Sequence, residues 1–195
     1  MAKNEVLVCK TFSFDSSHQL VGHCGKCANI HGHTYKLEVK CKGYATQHPD
    51  VNDLGSLLSS DEYADDVSNE GFVIDFYRLK LAVNELIVDR LDHAFIAMGN
   101  EPALETIKAS GVKVVVLGFR TTVENMASYI CWRLLKAGLP IHSVRMWETP
   151  TGWAEVLASE IDWEKGPTYR TIGQCDLDED NTEGGDSVAQ LDLPF

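Results

Sequence analysis

The 195-residue sequence predicts an α+β fold: an antiparallel sheet of two hairpins, with two helices packed on one of its faces. Three observations predict it. Period-two alternation is clean over residues 33–43. Two later segments carry helical periodicity bounded by capping residues, and a strand–turn–strand pattern closes the ordered part.

Residues 5–14, EVLVCKTFSF, read as a strand. In residues 33–43, HTYKLEVKCKG, Tyr35, Leu37, Val39 and Cys41 fall on one face, and Thr34, Lys36, Glu38, Lys40 and Lys42 on the other. This is a half-buried strand, expected antiparallel to the first. Residues 45–70 are a polar excursion longer than ordinary connections, read as an insertion. A helix is expected over about 75–91, with Asp75 as N-cap and Leu79, Ala82, Val83, Leu86 and Ile87 as its apolar stripe. GVKVVVLG, 111–118, reads as a short buried strand. The second helix begins at TTVEN, where Thr121 and Glu124 match a capping box, and stops at Gly138 and Pro140. Its face is Val123, Met126, Ala127, Ile130, Cys131 and Leu134. IHSVRMWE and WAEVLASEI flank TPTG as a hairpin.

Composition bounds the function. The apolar fraction is 44%, and no apolar run reaches the roughly 20 residues of a membrane span. The N-terminus carries Glu5 and lacks the apolar core of a secretory signal. Six cysteines then read as reduced thiols, metal ligands or catalytic groups, and a cytoplasmic location is expected. The net charge of −12 is uneven: 45–70 and 174–195 each hold seven acids and no Lys or Arg, leaving 15 acids against 17 bases elsewhere. The body can therefore receive an anion, and nothing resembles a basic nucleic-acid footprint. One domain over 1–173 is expected, followed by an acidic, disordered tail over 174–195.

HCGKCANIHGH, residues 23–33, concentrates the chemistry. His31 and His33 project to the core face, two positions apart, with Gly32 between them. His18 lies just past the first strand and comes near the pair if the strands form a hairpin. Three neutral imidazoles with an open fourth position are the pattern of a catalytic zinc site. A closed Cys2His2 knuckle of Cys24, Cys27, His31 and His33 is the competing metal reading, although its spacing is short. On the first reading Cys27 is left at the rim, where a thiol beside a metal is easily deprotonated and serves as a base. Asp92 and His93, in LDHAF, are candidates to poise it. Glu148 ends a strand, and its carboxylate suits the guanidine-like edge of a pterin or guanine ring. Thr122 and Glu124 are candidates for the same ligand.

FDSSH, KCANIHGH, VIDF, LDH, TTVEN and MWET follow in order along the chain. Together they resemble the 6-pyruvoyl-tetrahydropterin synthase / 6-carboxy-tetrahydropterin synthase family. The resemblance implies a T-fold assembled into an oligomeric barrel, commonly a hexamer, with active sites between neighbouring chains. It implies zinc on His18, His31 and His33, proton handling by Cys27, Asp92 and His93, and pterin binding by Glu148 with Thr122 and Glu124. The short gap from Cys27 to His31 resembles the carboxy-forming branch of 7-deazaguanine and queuosine synthesis. That branch converts 7,8-dihydroneopterin triphosphate to 6-carboxy-5,6,7,8-tetrahydropterin, releasing acetaldehyde and triphosphate. A pyruvoyl-forming elimination and a non-catalytic zinc module are the alternatives. The resemblance assigns no role to His23 or Cys24. The residues that hold the triphosphate stay open, with Lys26, Arg120 and a neighbouring subunit as possible sources of charge.

Overall fold

The computed structural model describes residues 4–45, 71–162 and 164–167. The expected acidic tail, and the expected insertion apart from residue 45, lie outside the described residues. Strands β1 (Glu5–His18) and β2 (His31–Tyr44) form a long antiparallel hairpin. Helix α1 comprises Phe76–Val83, a π-helical turn at Asn84–Val88 and a closing turn at Asp89–Leu91. Then follow β3 (Ala94–Met98), α2 (Leu104–Ala109), β4 (Val114–Leu117), α3 (Val123–Lys136), β5 (Ile141–Thr149) and β6 (Gly152–Leu157).

One six-stranded sheet runs in the order β4-β3-β1-β2-β5-β6. The two hairpins form its antiparallel part, as expected, whereas β3 joins β1 and β4 joins β3 in parallel. The sheet is therefore mixed. Alternation along β2 puts Tyr35, Leu37, Val39 and Cys41 wholly inside, and Lys36 and Lys42 outside. Against that inner face pack the α1 residues Leu79, Ala82, Val83, Leu86 and Ile87, and the α3 residues Met126, Ala127, Ile130, Cys131 and Leu134, in one apolar cluster. Two elements were not expected. β3 is buried on both faces, so it shows no alternation. The short α2 covers its second face, where Leu104 meets Phe95, Ala97 and Val116 in a separate small cluster.

The caps explain the helix limits. The Asp75 side chain accepts from the Tyr77 and Arg78 amides and starts α1. The capping box is displaced by one residue: Thr122, not Thr121, is the N-cap of α3, and its hydroxyl accepts from the Asn125 amide. Thr121 is thereby freed for another task. Gly138, at φ 77°, ends α3, with its amide donating to the Leu135 carbonyl and the Leu139 amide to that of Leu134.

Candidate metal centre

The register of the first hairpin builds the centre. His18 lies opposite His31 and Ser16 opposite His33, so three imidazoles meet at the loop end of the β1–β2 ladder. Gly32 lets the strands close there, because a Cβ at this position would come within 3.3 Å of the Ser16 carbonyl oxygen. The ring centroids of His18 lie 4.6 Å from His31 and 5.3 Å from His33, and those of His31 and His33 lie 4.9 Å apart. One nitrogen from each ring falls within 4.8 Å of the other two.

The tautomers follow from the partners. His18 Nδ1 lies 2.9 Å from the Thr121 carbonyl oxygen, and His31 Nδ1 lies 2.8 Å from that of Asn29. A carbonyl only accepts, so both Nδ1 atoms carry the proton and both Nε2 atoms present a lone pair. The Nε2 atoms of His18, His31 and His33 are buried and have no hydrogen-bond partner. Burial pushes the His18 imidazolium down to about 4 and lowers that of His33 as well, with Glu148 opposing the shift of His33. Imidazoles presenting buried, unpaired Nε2 atoms suit a divalent metal ion, and backbone carbonyls fixing the opposite nitrogen are the usual support of such ligands. Thr121 and Asn29 were missed by sequence reasoning, because a backbone carbonyl leaves no signal in residue type.

The other candidates divide. Among the described residues, the three histidines are the group whose donor atoms could share one ion, and neither Cys24 nor Cys27 joins it. The knuckle arrangement is therefore not formed. Cys27 is half-buried on a 3-10 turn, Lys26–Ala28, which is tied back by the Leu20 amide donating to the Cys27 carbonyl at 2.9 Å. Glu148, on β5, turns toward the histidines: its Oε1 lies 3.7 Å from His18 Nε2 and 3.9 Å from His33 Nε2. Thr122 is half-buried at the start of α3, and Glu124 is exposed.

Asp92 and His93 form their own pair, with His93 Nδ1 at 2.9 Å from Asp92 Oδ2. The Asp15 amide donates to Asp92 Oδ1 at 2.9 Å, and this bond, with the His93 contact, holds the Asp92 carboxyl below its ordinary range. His93 is the single non-glycine residue of positive φ among those described, at 57°, and is 78% exposed. It opens into a cleft of about 660 Å³ with Asp15, Ser16, Ser17, His33 and Thr34. The side chains of Asp15, Ser17 and Thr34 alternate with those of Ser16, His18 and His33, and the cleft is lined from both sets, His33 included. Within one chain no hydrogen bond or ion pair joins Cys27 to Asp92 or His93 among the described residues.

A mixed sheet backed by two helices, with three histidines at a hairpin end that could hold a metal ion, defines an α+β protein with a candidate metal centre. The family profile described as 6-pyruvoyl tetrahydropterin synthase matches residues 7–159. A 6-carboxy-5,6,7,8-tetrahydropterin synthase of Haemophilus influenzae is 39% identical over 153 residues, which span 76% of this chain and 96% of that one. Its Synechocystis counterpart is 29% identical over 156 residues, 80% of this chain and 95% of that one. In three dimensions the chain resembles an uncharacterized protein of Wolinella succinogenes, with a TM-score of 0.59 at 21% identity over 79% of this chain and 98% of that one. It also resembles Caenorhabditis elegans 6-pyruvoyl tetrahydropterin synthase, with a TM-score of 0.53 at 21% identity over 80% and 99%. The chain belongs to the 6-pyruvoyl tetrahydropterin synthase family, and it has the fold of those structures, the T-fold.

Proposed function

We propose that the protein is a zinc-dependent carbon–carbon lyase of 7-deazaguanine and queuosine biosynthesis. It converts 7,8-dihydroneopterin triphosphate to 6-carboxy-5,6,7,8-tetrahydropterin, releasing acetaldehyde and triphosphate. The observation that carries this reading is the convergence of three buried, unpaired Nε2 atoms in a chain 39% identical to a protein of that name.

His18, His31 and His33 would hold the zinc, which when bound supplies Lewis acidity toward the side-chain oxygens of the substrate. The chain's own groups do the rest. Cys27, at the rim, takes a proton from the substrate side chain. Asp92 orients His93, which exchanges that proton onward. Glu148 accepts two N–H donors from the pterin ring, and Thr122 and Glu124 border the same ligand. Because His93 is exposed and, among the described residues, neither Asp92 nor His93 is bonded to Cys27 of the same chain, the pair is assigned to the centre of a neighbouring subunit. This supports an oligomeric barrel, a homohexamer on this reading, with each active site shared between chains. No described helix is long and apolar enough to cross a membrane, which fits a cytoplasmic enzyme acting on a small molecule.

Incubation of the protein with 7,8-dihydroneopterin triphosphate tests the reading. Acetaldehyde and 6-carboxy-5,6,7,8-tetrahydropterin are expected. Release of triphosphate with retention of all side-chain carbons would instead place the chain among the pyruvoyl-forming enzymes.

A further inference from the structure

Glu148 holds a position that pterin anchoring does not explain. Val144 and Met146 of β5 are fully buried, so alternation aims Glu148 at the same sheet face as the imidazoles. The β5–β6 ladder steps from Trp147–Trp153 to Thr149–Gly152 past Glu148, an irregularity of the kind that re-aims a side chain beside an active site.

The carboxylate meets the His18 lone pair. His18 carries its proton on Nδ1, toward Thr121, so the Nε2 facing Glu148 at 3.7 Å is an acceptor. His33 Nε2 stands at 3.9 Å from the same oxygen and has no hydrogen-bond partner. A carboxylate set against the buried lone pair of a neutral imidazole is unfavourable unless a cation lies between them. The spacing suits one. Donors on a tetrahedral ion with bonds of about 2.05 Å lie about 3.3 Å apart. Oε1 is near that separation from two of the three imidazole nitrogens.

We infer that Glu148 is the fourth ligand of the His18–His31–His33 metal ion in the substrate-free enzyme, and that it leaves the ion for the pterin ring when substrate binds. The inference rests on the metal reading above and adds a second state to one side chain. A closed four-donor centre keeps the ion while the site is empty. Substrate then opens the fourth position only when its ring has captured the carboxylate, which couples ring recognition to access to the metal.

Cobalt(II) titration of metal-stripped full-length protein tests this without turnover, using the visible d–d spectrum and competition with a chelator. Wild type, Glu148→Gln, Glu148→Ala and His31→Ala are compared. The inference expects a tetrahedral spectrum in wild type. In both Glu148 variants it expects a weaker, shifted band and affinity reduced about 10- to 100-fold, the range for groups that support a metal site. A dihydropterin bearing a side-chain diol should perturb the wild-type spectrum and reduce this difference. Wild-type affinity and spectrum in Glu148→Gln would overturn the inference. Failure of wild type to bind cobalt, or retention of full affinity by His31→Ala, would overturn both it and the metal reading. The expected cobalt result without acetaldehyde release would leave Glu148 as a ligand and remove the lyase reading alone.

Discussion

Replacing Glu155 by Gln tests how the outer face of the sheet keeps β2, β5 and β6 in register around the site. Glu155 lies opposite Arg145 on the neighbouring strand. Its Oε1 accepts from Lys40 Nζ at 2.6 Å and from the Ser143 hydroxyl at 2.9 Å, and its Oε2 from Arg145 Nη2 at 2.6 Å and Nε at 3.0 Å. Burial alone would raise the carboxyl, but the hydrogen bonds from Lys40, Arg145 and Ser143 outweigh it and bring the group down to about 2 from 4.5. A gap of about 2.5 units at 1.36 kcal/mol each is about 3 kcal/mol; solvent screening at this partly exposed site reduces it to about 1–2 kcal/mol. Because the folded value is depressed, this stability is present in full above pH 4.5 and is lost as pH falls toward 2. Urea denaturation of wild type and Glu155→Gln across pH 7 to 3.5 is the assay. The variant should be less stable by about 1–2 kcal/mol at pH 7, with the gap narrowing below pH 4.5. Equal stability at pH 7, or a gap that does not change with pH, would refute the reasoning.

Other outcomes follow from the site. Chelator-treated protein should lose stability on acidification from pH 6.5 toward 4, because unfolded His18 takes a proton at its ordinary value of 6.5 while the buried ring resists until about 4. His18→Gln, by the same denaturation series, should flatten that part of the curve. Cys27→Ala should keep wild-type metal content and lose acetaldehyde release, as read by metal analysis and product assay together. Co-expressed Cys27→Ala and His93→Ala chains, each inactive alone, should regain activity at about one quarter of the sites if each site draws on two subunits. Persistent inactivity of the mixed oligomer would place Asp92 and His93 outside the neighbour's site. His93→Gly should remove activity at little cost in stability by thermal denaturation, since glycine accepts the φ of 57° without strain.

Much of this was legible because period and residue type coincide. Tyr35, Leu37, Val39 and Cys41 announce their face, and the same phase carried two and four residues back put His33 and His31 on it. The apolar stripes of α1 and α3 fixed which sides of those helices meet the sheet. β3 escaped because a strand buried on both faces has no polar phase, and α2 because six residues are too few to display a helical period. The one-residue displacement of the α3 cap arose because Thr121 and Thr122 offer equal capping chemistry. Tertiary structure decides between them by giving Thr121 to His18. The trio was readable from its histidines, but the proximity of Glu148 to it was not. The placement of Asp92 and His93 beside Asp15 depends on β3 pairing with β1, a long-range contact that local sequence does not encode.

Metal analysis of the purified protein beside His31→Ala and a Cys24→Ala/Cys27→Ala double variant addresses the three-imidazole centre most directly. One equivalent of zinc per chain in wild type and in the double variant, with loss of zinc in His31→Ala, is the predicted result. Zinc that leaves with the two thiols and stays without His31 would contradict it.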